Sequence, residues 1–472
     1  MMTFDGRETI LVIGLGKSGQ ACVRVLRERG ATVYATDEKP QSELQETIAS
    51  IEERGARFVA PAQLDDIVER LTSAVLSPGV PLNSPVVIAV QDRNVPVLGE
   101  IEFAYRLCKA PIIAVTGTKG KSTTTALIGH LLRSCGKSVR VGGNIGNPLI
   151  DEAVEARAAD WVVAEVSSFQ LETIRAFKPR VAVLLNLAPD HLDRYHSMDE
   201  YAEAKFRIFA NQAFDDYFVG NLDDARVAEL DVTKSERAIR SRQLWFTLAD
   251  RHNNATIYLA GDNIVYAPIS GDPRPVTVMS RHEIPLAGMH NVQNVMAALL
   301  AAYAVGCQTA ALRSAVMTFK AMPHRLERVD EIDGVLYVDD SKSTNPGSVD
   351  AALHAYDRPI VLIAGGRSKG TDFVEMGVAI RQRAKALVVI GEAAGEIALH
   401  AQGVPTVHAG SLVEAVARAR ELASSGDVVL LSPGCASFDM FRSAEDRGEQ
   451  FTAAVHALRE SFDELRTGPA GA

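Results

Sequence analysis

Short apolar runs alternate with amphipathic stretches along most of the chain, and this alternation predicts the fold. A run of four to six apolar residues can be buried on both faces, which is typical of strands in a parallel sheet. The stretches between the runs have the apolar spacing of helices that cover a sheet. We therefore predict an α/β fold. The clearest runs lie at 10–13, 112–115, 161–164, 181–185, 335–338 and 359–364.

Chain length indicates the number of domains. The sequence has 472 residues, and ~150 residues for each domain predict about three. Breaks near 108–111 and 321–323 suggest the boundaries. We expect an N-terminal Rossmann-like domain at 1–108, a central P-loop ATPase-like domain with a mostly parallel sheet at 109–322, and a C-terminal Rossmann-like domain at 323–472.

Composition narrows the class of protein. The formal charge of −10 argues against a nucleic-acid coat or a binder of anionic membranes. The five cysteines lack metal-ligand spacing, which is typical of reduced thiols in the cytoplasm. The longest apolar run, 295–305, is too short to span a bilayer, and the N-terminus has no apolar signal core. We expect a cytoplasmic monomer with no nucleic-acid or membrane partner.

The segment 111–125 carries the strongest functional motif, because an apolar strand runs into a glycine loop and then a helix. Glycines let backbone N–H groups approach an anion, and the helix N-terminus adds a positive dipole. Lys121 can reach the outer phosphates of a nucleotide, and the Ser122 hydroxyl can ligate magnesium. A glycine turn with a solvated lysine is the alternative, and Val115 stands where the common P-loop has a glycine. The predicted cofactor-binding residues are Gly117, Thr118, Lys119, Gly120, Lys121, Ser122 and Thr123.

Metal-capable side chains follow two further predicted strands. Glu165 ends an apolar strand, where a carboxylate can hold magnesium. The loop after the next strand carries Asp190, His191 and Asp193. Because open α/β sheets bind ligands at the carboxyl ends of their strands, we expect both groups to lie near the nucleotide.

Lys205 lies on the predicted helix 199–209, with Tyr201 and Phe209 four residues away on either side. A charge on a buried face costs free energy unless it is paired or modified. On spacing alone, the simpler interpretation is a lysine whose stem is buried and whose ammonium reaches solvent.

Another glycine motif lies near the N-terminus. Gly14, Gly16 and Gly19 follow a strand and open a helix, and Asp37 ends the next strand, as in the dinucleotide fingerprint. Ser18 lies in the same turn. The pattern suggests NAD, but a nucleotide-sugar diphosphate would use the same geometry. A purely structural unit is a third interpretation.

Polar loops also follow predicted strands in the C-terminal region, at 339–346, 365–370 and 432–438. Together on one sheet edge they indicate a ligand-binding face, whereas each by itself is compatible with a structural turn. Cys435 has no assigned base, so we do not expect a nucleophile there. Farther upstream, Asn291 and Asn294 can share a helix face, where capping and ligand binding are equally good explanations.

Five motifs occur in order at 117–123 (GTKGKST), 165–171 (EVSSFQL), 190–195 (DHLDRY), 290–294 (HNVQN) and 324–327 (HRLE). This set resembles the Mur ligase family, whose members build the peptide stem of bacterial cell-wall precursors. The motifs DSKSTN and SPGCASFDMF nearer the C-terminus resemble those of the member that adds D-glutamate to UDP-N-acetylmuramoyl-L-alanine. The resemblance implies an ATP-dependent, amide-bond-forming ligase that uses Mg²⁺ and an acyl-phosphate intermediate in peptidoglycan precursor synthesis.

The resemblance further implies a role for each matching residue. Catalysis would involve Lys121, His191, Lys342 and a carbamylated Lys205, in which the modification replaces the cation with an anion. Besides the phosphate loop, ATP would contact Asn294, Arg325 and Asp340. Magnesium would be held by Ser122, Glu165, His191 and carbamylated Lys205. UDP would lie on Gly14, Gly16, Ser18, Gly19 and Asp37. The acceptor or D-glutamate would contact Asn144, Thr344, Lys369, Ser437 and Phe438.

Two positions depart from the family pattern. Arg367 and Ser368 precede Lys369 where relatives tend to carry acidic or glycine residues, and Ala444 stands where they tend to carry an aromatic. Two alternatives remain: another amino-acid ligase of the family and, from a different class, an NAD-dependent oxidoreductase. The oxidoreductase would leave the segment 117–125 without a role.

Overall fold

The computed structural model describes residues 6–190, 194–230, 239–250, 254–268, 274–370 and 372–467. Within these residues it contains three sheets, of five, nine and six strands. The chain divides into two compact units, one of Met1–Glu283 with Gln293–Phe319 and the other of Ile284–Val292 with Lys320–Ala472. The predicted α/β fold with mostly parallel sheets is confirmed, and the division into three domains at 108 and 322 stays a prediction.

The first sheet is built from five parallel strands, β1 (Thr9–Ile13), β2 (Thr32–Thr36), β3 (Arg57–Phe58), β4 (Ser73–Leu76) and β5 (Val97–Gly99). Their order is β3-β2-β1-β4-β5, so the glycine loop follows the central strand. The α-helices are α1 (Lys17–Glu28), α2 (Gln45–Glu53), α3 (Pro85–Gln91) and α4 (Glu100–Leu107), and short 3₁₀ helices span Gln41–Glu43, Pro61–Asp66 and Val68–Arg70.

The second sheet contains β6 (Ile112–Thr116), β7 (Val139–Gly143), β8 (Trp161–Glu165), β9 (Val181–Leu184), β10 (Tyr217–Asn221), β11 (Arg242–Thr247), β12 (Ile257–Ala260), β13 (Asn263–Tyr266) and β14 (Val276–Ser280). Its order is β14-β13-β12-β11-β10-β9-β6-β8-β7, and β13 and β14 are antiparallel additions to parallel strands. The loops after β8, β6 and β9 therefore meet at one edge.

The helices of this region are α5 (Lys121–Ser134), α6 (Leu149–Glu155), α7 (Ser168–Glu172), α8 (Met198–Phe206), α9 (Ala225–Ala228), α10 (Met289–Ala304) and α11 (Thr309–Thr318), with 3₁₀ helices at Arg207–Phe209 and Arg281–Glu283. One buried apolar cluster includes residues of α4 and α6, and extends over the first and second sheets. This shared core explains why the two sheets form one compact unit. None of the described helices is long and apolar enough to cross a membrane.

The third sheet contains β15 (Glu327–Ile332), β16 (Val335–Asp339), β17 (Ile360–Gly365), β18 (Ala384–Ile390), β19 (Thr406–His408) and β20 (Val428–Leu431). Its order is β15-β16-β20-β17-β18-β19, and β15 alone among the described strands of this sheet is antiparallel to its neighbour. Because β20 lies between β16 and β17, the three predicted polar loops are adjacent. The helices are α12 (Pro346–Leu353), α13 (Val374–Arg383), α14 (Ala394–His400), α15 (Leu412–Leu422) and α16 (Ala444–Thr467).

Candidate active site

The phosphate loop between β6 and α5 is held in shape by a neighbouring loop. Gly117 and Gly120 have φ angles of 148° and 84°, which residues with a Cβ rarely adopt. The side-chain oxygen of Asn186, just after β9, accepts the N–H groups of Thr118 at 3.2 Å and Lys119 at 2.8 Å. Sequence reasoning missed this role of Asn186. The one sequence signal for this role was the position of Asn186, an amide side chain at the end of a predicted strand.

Two lysine ammonium groups meet at the first carbonyl of the phosphate loop. Lys121 Nζ donates to the Gly117 oxygen at 3.0 Å and to the Thr118 oxygen at 2.8 Å. Lys205 Nζ donates to the same Gly117 oxygen at 2.8 Å and lies 4.7 Å from the ring centroid of Tyr201. Both amino groups thus lie where a phosphate would bind, and Lys121 supplies positive charge there.

The side chain of Lys205 is 2% exposed, so the expectation of a solvent-reaching ammonium is wrong. The Tyr201 hydroxyl lies 3.1 Å from Thr118 Oγ1, and α8 therefore packs its lysine against the loop. Burial, and then the positive charge of Lys121, lower the pKa of Lys205 to about 7. A large fraction of this side chain is consequently the neutral amine at neutral pH.

Glu165 supplies a buried carboxylate at the end of β8, next to β6. Its side chain is 3% exposed, and Oε1 accepts the side-chain N–H of Asn144 at 2.9 Å. Its Oε2 is buried and has no hydrogen-bond partner within the described part of the chain. An orphaned carboxylate oxygen and the Ser122 hydroxyl at the start of α5 are the oxygen donors that Mg²⁺ prefers. The residues present therefore fit a magnesium site.

Asn294, a predicted ATP contact, and Asn291, for which capping and ligand binding are alternative interpretations, have different surroundings. A Cβ on Gly120 would lie 2.3 Å from Asn294 Oδ1, so Asn294 borders the phosphate loop, and its contact with ATP stays a prediction. Asn291 donates its side-chain N–H to the Ala287 carbonyl at 2.7 Å, so this side chain ties the first turn of α10 to the preceding segment. His191 lies outside the described residues, and its role stays a prediction.

The N-terminal glycine loop has close backbone packing. A Cβ on Gly19 would lie 1.8 Å from the Gly14 carbonyl oxygen, so a side chain does not fit there. Asp37 accepts the Leu15 N–H on Oδ2 at 2.7 Å and the Lys39 N–H on Oδ1 at 3.0 Å. The carboxylate expected to contact UDP therefore also fixes the backbone of this loop.

Replacing Gly19 by alanine tests this packing. We expect Gly19→Ala to lower the free energy of unfolding by about 1–3 kcal/mol, because the methyl group forces the loop backbone apart. Gly16→Ala is the matched control, since a Cβ there meets no atom within 4 Å and φ is −65°. Denaturant unfolding measures both. Equal stability of the two variants would contradict the close approach.

The glycine loop also contacts the loop that follows β7. Lys17 Nζ donates to the Gly146 carbonyl at 2.6 Å, and Ser18 lies half-buried beside it. Arg24 of α1 pairs with Asp151 of α6 at 2.6 Å. These contacts join the expected UDP loop to the segment that carries Asn144.

In the second compact unit, Asp340 joins the loops after β16 and β20. It is buried, and its Oδ2 accepts the Ser343 hydroxyl and, at 2.9 Å, the Ser432 hydroxyl. Burial raises the pKa of Asp340 to about 6, although these hydrogen bonds and the charge of Arg325 oppose the rise. Asp340 and Arg325, two predicted ATP contacts, therefore lie close enough to interact electrostatically.

Two predicted lysines lie on the same sheet edge. Lys369 Nζ donates to Thr344 Oγ1 at 3.2 Å and so links the loops after β17 and β16. Lys342 forms an ion pair with Glu445, and this contact lowers the pKa of Glu445 to about 2. The edge offers cationic and hydroxyl groups, which are suited to carboxylates.

Arg447 is a fully buried residue that sequence reasoning did not assign to the site. It donates to the Ser341 carbonyl at 2.8 Å and to the Cys435 carbonyl at 3.2 Å, and so holds the loops after β16 and β20 together. Burial raises the pKa of the Cys435 thiol to about 12, in agreement with its exclusion as a nucleophile. Ser437 is buried in the same loop, and Phe438 is 65% exposed.

The two departures from the family pattern have local explanations. Arg367 binds both carboxylate oxygens of Glu392, at 2.8 and 3.0 Å, so a nearby acid balances its charge. Ala444 opens α16, and its carbonyl accepts the Ser341 hydroxyl at 2.7 Å. The backbone at this position supports the loop after β16, while its methyl side chain cannot supply an aromatic wall.

Three family models match the chain in succession. The Mur ligase MurD-like N-terminal domain matches residues 8–99, the Mur ligase middle domain matches 115–302, and the Mur ligase glutamate ligase domain matches 324–435. The matched segments contain the glycine loop, the phosphate loop and the polar loops of the third sheet, respectively.

Known relatives extend the likeness over nearly the whole chain. The UDP-N-acetylmuramoylalanine–D-glutamate ligase of Pelotomaculum thermopropionicum is 44% identical over 462 residues, covering 96% of this chain and 98% of the relative. The protein of the same name from Thermoanaerobacter sp. is 42% identical over 463 residues, covering 97% and 100%. The solved MurF ligase of Thermotoga maritima in complex with ADP has a TM-score of 0.58 at 15% identity, over 98% of this chain and 100% of that one.

Proposed function

Because the chain belongs to the Mur ligase family, we propose that it adds D-glutamate to UDP-N-acetylmuramoyl-L-alanine, with hydrolysis of ATP, in peptidoglycan precursor synthesis. It is an ATP-dependent, amide-bond-forming ligase. One observation supports this chemistry best. The phosphate loop and the unpartnered Glu165 oxygen follow the neighbouring strands β6 and β8, and Lys205 of α8 donates to the same loop. We include Mg²⁺, a cytoplasmic location and a monomeric state in the proposal.

In the first step, a carboxylate oxygen of UDP-N-acetylmuramoyl-L-alanine attacks the γ-phosphorus of ATP. A P–O bond forms, the bond to the bridging oxygen breaks, and ADP leaves an acyl phosphate behind. Two anions approach each other, so Lys121 at the phosphate loop neutralises charge that develops in the transition state. Ser122 and Glu165 would hold magnesium, which neutralises phosphate charge when bound. Asn144 orients Glu165 through its 2.9 Å hydrogen bond.

In the second step, the amine of D-glutamate attacks the acyl carbon and phosphate leaves. Lys369 and Thr344 offer a cation and a hydroxyl to the carboxylates of D-glutamate, and the buried Ser437 offers a further hydroxyl. Lys342 lies on the same edge and is our candidate for contact with the reacting groups. The amine must reach the acyl carbon before water does, so these residues raise the rate by holding it in place.

The competing functions explain less of the structure. An NAD-dependent oxidoreductase would use the glycine loop and Asp37 but would leave the phosphate loop and the buried Glu165 without a role. Another amino-acid ligase of the family would use the same phosphate chemistry. The relatives named above favour D-glutamate over that alternative.

Isotope transfer tests the order of bond formation. We expect ¹⁸O placed in the carboxylate of UDP-N-acetylmuramoyl-L-alanine to appear in the phosphate released, one atom for each turnover, because the attacking oxygen leaves with the phosphorus. Mass spectrometry of the phosphate measures it, with unlabelled acceptor in ¹⁸O-water as the control. Phosphate that carries no label from the acceptor would rule out the acyl phosphate.

A further inference from the structure

Lys17 makes a contact that has no role in the proposed chemistry. It is exposed at the first position of α1, directly after Gly16, and its Nζ donates to the Gly146 carbonyl at 2.6 Å. Within the described residues it forms no ion pair, so a carbonyl is the partner of this cation. An ammonium group has three N–H donors. The contact with the Gly146 carbonyl uses one of these N–H donors, and the other two can bind an anion.

The segment 143–148, here called the connector loop, leads from Lys17 to the metal carboxylate. The Gly143 N–H donates to the Asn147 carbonyl at 2.8 Å and closes the loop around Gly146. Asn144 donates its backbone N–H to the Glu165 carbonyl and its side-chain N–H to Glu165 Oε1, each at 2.9 Å. Lys17 therefore holds the backbone at Gly146, which is two residues along the chain from Asn144, the residue that orients Glu165.

The helix after the connector loop is fixed to the first sheet independently. Glu100 of α4 accepts the Ile150 N–H at 2.8 Å, and Arg24 pairs with Asp151 at 2.6 Å. Lys17 contacts the tip of the connector loop at Gly146, whereas the side chain of Asn147 donates to Glu152 Oε1 at 2.9 Å on the side of α6. Loss of the Lys17 contact would leave the helix in place and loosen the tip.

We propose that Lys17 is a positioning residue, which binds the diphosphate of the nucleotide substrate and the connector loop together and thereby orients Asn144 and Glu165. The inference rests on the proposed function, since it takes UDP as the group held by the glycine loop. An anion at the N-terminus of α1 lies beside the Lys17 backbone, within the reach of its own flexible side chain. Binding of UDP at the glycine loop would thereby influence the orientation of Glu165, the carboxylate beside the phosphate loop.

Equilibrium binding of UDP and uridine tests the contact with the diphosphate. We expect Lys17→Met to weaken UDP binding about tenfold, as for the loss of one charge-assisted hydrogen bond, and to leave uridine binding unchanged. Lys17→Arg should retain most of the affinity, and Lys109→Met is the matched control, because Lys109 is exposed and precedes the opposite end of β6. Calorimetry measures UDP, and ligand-observed NMR measures uridine. Unchanged UDP affinity in Lys17→Met would overturn the proposal.

A double-mutant cycle with Asn144→Ala tests the coupling. At saturating substrates, we expect Lys17→Met to lower kcat about fivefold in the parent chain and to have little further effect in the Asn144→Ala chain. An equal factor in both backgrounds would overturn the positioning role. The binding experiment needs no turnover, so its outcome is separate from a failure of D-glutamate ligation in the parent protein.

Discussion

Lys121→Ala is expected to lower turnover at least about 10³-fold, below the range of an ordinary phosphate-release assay. The ammonium lies over the carbonyls of Gly117 and Thr118, where the phosphates of ATP would bind, and no other described side chain of α5 carries a positive charge within its first turn. Without this charge, the carboxylate and the triphosphate repel each other as the new P–O bond forms. The loss should appear in kcat more than in the affinity for UDP.

The fold should survive this substitution. Lys121 is partly exposed and contributes two hydrogen bonds to its own loop, so we expect the Tm to change by less than about 3 °C. Lys137→Ala, in the turn after the far end of α5, is the control for removing a lysine from the same region. Near-normal turnover in Lys121→Ala would remove the phosphate-loop assignment.

Lys205→Met is expected to lower turnover by about 10²-fold or more, because it removes the amine that would be carbamylated and its hydrogen bond to the Gly117 carbonyl. Carbamylation joins a neutral amine to CO₂ with release of a proton. Burial holds the pKa of Lys205 at about 7, so about half of the amine is reactive at pH 7 and about 90% at pH 8. A carbamate anion would then lie beside Lys121.

Carbon-13 NMR with labelled bicarbonate measures this modification. We expect a carbamate signal that grows between pH 6 and 8, persists in Lys109→Met and is absent from Lys205→Met. The unfolded chain keeps this lysine near its ordinary pKa of 10.5. Between about pH 7 and that value, the unfolded chain binds more protons, so the stability contributed by Lys205 rises with pH. A protein with full activity and no carbamate signal would contradict the modification.

Sequence pattern was sufficient for those parts of the fold that local apolar runs define. The strands at Trp161–Glu165 and Thr9–Ile13 contain the predicted apolar runs 161–164 and 10–13, and the glycine turn at 117–120 lies between a strand and a helix. Each depends on residues that are neighbours in the chain. The motif chemistry at Lys121 was predictable for the same reason.

Features that depend on distant segments were not predictable in this way. The burial of Lys205 requires α8 to pack on the phosphate loop, and helical spacing alone favoured a solvent-reaching ammonium. The insertion of Val428–Leu431 between earlier strands leaves no trace in the periodicity of any strand. Arg447 was missed because its partners are backbone carbonyls, which any residue type supplies.

Phosphate release measured with ATP and UDP-N-acetylmuramoyl-L-alanine against a panel of amino acids tests the proposed function most directly. The panel should include L-glutamate, D-aspartate, L-lysine and meso-diaminopimelate beside D-glutamate. We predict release that depends on D-glutamate, with a product heavier than the acceptor by one glutamyl residue. Strict dependence on another amino acid would contradict the choice of substrate, and no release with any of them would contradict ligation itself.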